Sequence, residues 1–133
     1  MTTYWQVNPA LEPQKLVIRK YWWDECGFNL SFRDIIGHRT VNISFFSELD
    51  GVQIMSLHDD VEMEQRLYLL MQEAKLPNGK PFLPAFVRDT APLIEQVRTL
   101  NQFSINESVS LHQYTIITDD FWIDVVSSQP PSV

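Results

Sequence analysis

The densest run of chemistry-bearing side chains is His58-Asp59-Asp60-Val61-Glu62-Met63-Glu64. Imidazoles and carboxylates are the donors that metal sites draw on. On a helix, Asp60 and Glu64 stand four residues apart on one face. The same residues also suit a helix start. Asp59 is a good N-cap, and Glu62 three residues later completes a capping box. Acidic side chains there stabilise the positive end of the helix dipole, and Glu62 pairs with Arg66 at the next turn. The spacings of zinc-protease helices and calcium loops are absent. The helix start is therefore the stronger reading, and neither a metal nor another cofactor is expected. A third use of the run makes Asp59, Asp60, Glu62 and Glu64 an acidic docking face.

Acid–base catalysis needs two titratable groups held together. His38, His58 and His112 are scattered along the chain. Cys26 lies in Asp24-Glu25-Cys26-Gly27, where two neighbouring carboxylates oppose thiolate formation. There is no G-x-S-x-G, no Gly-rich phosphate loop and no C-x-x-C. No catalytic residue emerges, and the expectation is a protein that is not an enzyme.

Aromatic residues are the other feature. Trp22 and Trp23 are adjacent, so on a strand they point to opposite faces. If one face alone is covered by helices, one of the two is partly exposed, and exposed Trp is enriched in binding hot spots. A covering loop or N-terminal segment is the alternative. Trp122 stands among Asp119, Asp120 and Asp124. An aromatic rimmed by carboxylates suits an Arg or Lys from a partner, or simply an amphipathic hairpin surface. These four residues complete the expected partner-binding set.

The elements that must position these residues follow from periodicity. Residues 15–23, 28–34, 40–46 and 52–57 alternate in the manner of strands, with Phe28, Leu30 and Phe32 sharing one face. Cys26-Gly27 and Glu48-Leu49-Asp50-Gly51 supply turns, so the four strands read as an antiparallel meander. A helix follows Asp59, with Met63, Leu67, Leu70, Met71 and Ala74 on one face and Pro77-Asn78-Gly79 as its stop. A short strand at 82–87 is expected at a sheet edge because of Pro84. Asp89 or Thr90 caps a second helix with Pro92 in its first turn. Its buried stripe is expected at Leu93, Val97 and Leu100, flanked by Ile94 and Phe103. A hairpin of 110–117 and 121–126 closes the chain, with a possible short strand at 3–7. The expected fold is α+β: an antiparallel β-meander of about five to seven strands with two helices packed on one face.

Bulk composition bounds the rest. The chain has 133 residues, enough for one domain, with 44% hydrophobic residues and 12% aromatics to build a core. Residues 127–133, rich in Ser and Pro, read as a flexible tail. A single cysteine, no basic leader and no apolar run of membrane length point to the cytoplasm and away from a membrane. The net charge is −7, and residues 48–133 hold thirteen acidic groups against five basic ones. Such a surface repels phosphate backbones, so direct nucleic-acid binding is disfavoured, and it steers basic proteins toward it. The resulting expectation is a small acidic inhibitory protein of the immunity-protein, antitoxin or anti-defence kind. It would neutralise a basic partner, such as a nuclease toxin or a nucleic-acid-binding effector, by covering its surface. An acidic secretion or assembly chaperone is one alternative. A small-ligand domain or enzyme with a pocket between sheet and helices is another.

Overall fold

A computed structural model describes residues 2–4, 16–25, 27–34, 40–45, 51–56, 61–75, 85–100, 110–117 and 121–133; for 4, 16–19, 34, 51–56, 61–64 and 121 the description is of the backbone. The strands are β1 (Thr2–Tyr4), β2 (Leu16–Asp24), β3 (Gly27–Asp34), β4 (Thr40–Phe45), β5 (Gly51–Ser56), β6 (Ala85–Arg88), β7 (His112–Ile117) and β8 (Phe121–Ser127). The helices are α1 (Val61–Glu73) and α2 (Pro92–Leu100). The class is α+β, with all pairings antiparallel.

The strands divide between two sheets. One has the order β2-β3-β4 and the other β1-β6-β7-β8-β5. The first three strands of the expected meander do pair in sequence, and Gly27, at φ 135°, turns β2 into β3 where a side chain would be disfavoured. The fourth departs from the expectation. β5 joins β8 in the larger sheet, from Gly51↔Val126 to Ser56↔Phe121. The reason lies in what the meander exposes. Phe28, Leu30 and Phe32 on β3, with Val41, Ile43 and Phe45 on β4, form a wholly apolar face that needs a partner sheet. The larger sheet supplies it with Ala85, Tyr114, Ile116, Ile123 and Val125.

Alternation then sends the other residues of β6, β7 and β8 to the opposite face, where both helices lie. Leu70 of α1 packs with Phe86, Ile117 and Trp122, supported by Leu67, Met71 and Ala74. Ile94 and Val97 of α2 pack with Leu111 and Val126. The result is three layers: small sheet, large sheet, helices. Leu100, expected in the buried stripe, is 83% exposed. The helix turns ~100° per residue, which puts Leu100 about 90° from the midline of Ile94 and Val97. α1 closes at Glu73, with Lys75 in the left-handed region at φ 56°.

Two further expectations change. β6 is not an edge strand, because β1 pairs with its outer side from Thr2↔Arg88 to Tyr4↔Phe86. Pro84, on which the edge expectation rested, lies outside the described residues. The Ser/Pro tail is also tied down. Ser132 and Ser44 exchange two backbone hydrogen bonds of 2.8 Å, which fastens the chain end along β4.

On β2, Tyr21 and Trp23 share the inner face, and both are exposed. Trp23 is 60% exposed although its ring centroid lies 4.8 Å from that of Phe28, so it roofs the rim of the core. Trp22 faces the other way and takes the Lys20 ammonium 4.7 Å from its ring centroid. Among the described residues no helix is long and apolar enough to cross a membrane.

Candidate functional site

The helix-bearing face of the large sheet should be apolar, yet its centre is polar. Arg88 on β6 stands opposite Gln113 on β7, and Thr115 on β7 opposite Asp124 on β8. Gln113, Thr115 and Asp124 are all buried. Asp124, 5% exposed, organises the group. Its Oδ1 accepts hydrogen bonds from Gln113 Nε2 at 3.0 Å and Thr115 Oγ1 at 2.6 Å. Its Oδ2 accepts one from the Trp122 indole Nε1 at 3.0 Å. Burial pushes the Asp124 carboxyl above the usual carboxylate range, against the opposing pull of Thr115, Gln113, the Arg88 charge and Trp122.

A cleft of about 460 Å³ opens over this polar strip. Arg88, Gln113, Trp122 and Asp124 line its floor. Arg66, Leu69, Leu70 and Glu73 form one wall, at the spacing that puts them along one side of α1. Pro92 and Leu93, in the first turn of α2, form the other. Glu73 is held by Thr2, whose Oγ1 donates to Oε2 at 2.6 Å, so β1 fastens the end of α1 beside the cleft.

Two polar atoms of the floor are unmatched. Arg88 Nε and Gln113 Oε1 are buried, and neither has a hydrogen-bond partner among the described residues. Gln113 is 2% exposed, so solvent reaches it poorly. Buried donors and acceptors are paired in the great majority of cases, and an unmatched one costs roughly 1–3 kcal/mol. Both atoms belong to residues that line the one cleft, and they are of opposite kind, a donor and an acceptor.

Protein-family models, curated proteins and solved structures all fail to match this chain.

Of the expected partner-binding residues, Trp122 and Asp124 are the two whose side chains are described. Asp59, Asp60, Asp119 and Asp120 lie outside the described residues. Glu62 and Glu64 fall in the first turns of α1, where the backbone alone is described. Trp122 and Asp124 are buried, at 4% and 5% exposure. Their alternation with Ile123 and Val125, which enter the inter-sheet core, sends them to the covered helix face. There the carboxylate engages the indole N–H instead of an incoming cation. Among the described residues no three His, Cys, Asp or Glu side chains are grouped so that they could hold a metal ion. Sequence reasoning missed Gln113, Thr115 and Arg88. The signal was available in the closing hairpin, where polar Gln113 and Thr115 alternate with Tyr114 and Ile116 opposite Asp124.

Proposed function

We propose that this chain is a binding domain whose cleft between sheet and helices receives a small organic ligand. One observation carries the reading: an orphaned donor and an orphaned acceptor, both buried, on the floor of a cleft whose walls are Leu69, Leu70, Pro92 and Leu93 with Arg66 and Glu73. About 460 Å³ falls within the ~300–1,000 Å³ typical of small-molecule sites. No reaction is assigned: the Asp124 carboxylate is already engaged by three donors. The test is a fragment screen on the ¹⁵N-labelled chain by NMR. Hits are expected to move the Trp122 indole and Gln113 side-chain amide signals together with Leu69 and Leu93. Hits that scatter over β2, β3 and β4, or none at all, would remove the cleft from the account.

The charge distribution supports a second reading. Beyond Arg98 the chain has no Lys or Arg but retains Glu107, Asp119 and Asp120 besides the buried Asp124. In this reading an acidic surface, including Asp59, Asp60, Glu62 and Glu64, attracts a basic protein and speeds its docking. Reversing those four charges is expected to abolish salt-sensitive capture of such a protein from the source lysate while the melting curve shifts by only a few degrees. Asp59 as an N-cap accounts for ~1 kcal/mol of that shift. Capture that survives the four reversals would discard this face.

A further inference from the structure

The two orphaned atoms specify more than a generic ligand. We infer that the cleft selects a neutral molecule presenting an N–H beside a C=O along one edge, as in a lactam or a primary carboxamide. The inference rests on the reading of the cleft as a ligand site.

Arg88 and Gln113 are register partners on adjacent antiparallel strands. Their side chains therefore leave the sheet side by side, with Cβ atoms about 4.5–5.5 Å apart. Arg88 Nε is a donor only, and Gln113 Oε1 is an acceptor only. The Gln113 amide is fixed in its orientation, since its Nε2 donates to Asp124 Oδ1 at 3.0 Å and a carboxylate oxygen needs a donor there. Turning the amide over would bring two acceptors together. The floor thus presents a donor next to an acceptor, and its complement is an acceptor next to a donor.

Other ligand charges fit less well. A carboxylate would take the Arg88 hydrogen but set a second acceptor against Gln113 Oε1. An ammonium would satisfy Gln113 but face the Arg88 charge. A neutral edge carrying both functions matches both atoms at once. Leu69 and Leu70 on one side and Pro92 and Leu93 on the other give apolar surface for the flat remainder of such a molecule, and Arg66 and Glu73, of opposite sign on the α1 wall, leave no net charge there to favour an ion.

The test uses the intact wild-type chain and varies the ligand, so no variant has to fold. Five probes are titrated by NMR, following the Gln113 side-chain amide and the Trp122 indole. They are 2-pyridone, benzamide, N-methyl-2-pyridone, benzoate and benzylamine. The first two carry the paired edge. N-methyl-2-pyridone keeps the C=O and loses the N–H. Benzoate is an anionic acceptor and benzylamine a cationic donor. The expected result is that 2-pyridone and benzamide bind at least about tenfold more tightly than the other three, because a site built to hydrogen-bond a group rejects the analogue lacking it. Equal binding of 2-pyridone and its N-methyl form would overturn the edge selectivity and leave the cleft as a ligand site. Tightest binding of benzoate or benzylamine would do the same. If no probe of any class moves the two signals, both this inference and the ligand reading of the cleft fall together, and bridging water is the partner of the two atoms.

Discussion

Replacing Asp124 by alanine is expected to lower the unfolding free energy by roughly 3–6 kcal/mol, because three buried donors lose their acceptor at about 1–3 kcal/mol each. The donors are Gln113 Nε2, Thr115 Oγ1 and Trp122 Nε1. Removing a buried carboxylate also removes its desolvation cost, which is why the sum sits below the maximum of the three. The loss is large against the ~5–15 kcal/mol that holds a domain together. Asp124→Asn should cost less. Its carbonyl oxygen still accepts from Gln113 and Thr115, and only the Trp122 N–H meets a donor in place of an acceptor. Urea unfolding of the three proteins checks the order. If Asp124→Ala costs under ~1 kcal/mol, the carboxylate is not the hub of the strip.

The same residue predicts a pH dependence with a definite sign. The Asp124 carboxyl lies above its ordinary value of 3.8 in the folded chain, chiefly through burial. Between the unfolded and folded values the folded state therefore holds more protons than the unfolded state. Unfolding free energy then falls as pH rises through that window. Acidification should favour the folded state through this group, down to the ordinary carboxylate range and no further. Other carboxylates titrate as well, so the diagnostic quantity is the wild-type stability minus that of Asp124→Asn across pH. That difference should grow toward acid. A flat difference, or one that shrinks, would contradict the burial of the carboxylate.

Much of the fold was legible because burial and alternation are written in the residue types. The apolar sets on β3 and β4, the pairing of β7 with β8, and the start of α2 near Pro92 all follow from local pattern. Sheet membership was not. Whether β5 continues β4 or pairs with β8 depends on what covers Phe28, Leu30 and Phe32, which is a property of the whole chain. The site was hidden for a related reason. Trp122 and Asp124 look like a solvated acidic patch along the sequence. Only the packing of α1 and α2 over β8 turns them inward and unites them with Gln113 and Arg88 from two other strands.

One face of the large sheet packs on the small sheet and the other lies under the helices, and Phe45→Ala probes the first without touching the second. Phe45 is fully buried between the sheets, with its ring centroid 5.3 Å from Tyr114 on β7 and 6.5 Å from Phe28. Truncating it leaves a cavity that the apolar layers cannot fully close, at an expected cost of about 3–5 kcal/mol. The melting temperature should drop by about 10 °C or more. Tyr114 alternates with Gln113 and Thr115, so the damaged side of β7 is the one turned away from the cleft. At a temperature where the variant remains folded, the affinity for 2-pyridone should then stay within about twofold of wild type, as expected for sites that share no contacts. A stability loss under ~1 kcal/mol would mean that the sheets do not meet at Phe45. Loss of binding in a folded Phe45→Ala protein would mean that the strands transmit packing from one face to the other, and that the position of Gln113 is set from both sides of the sheet.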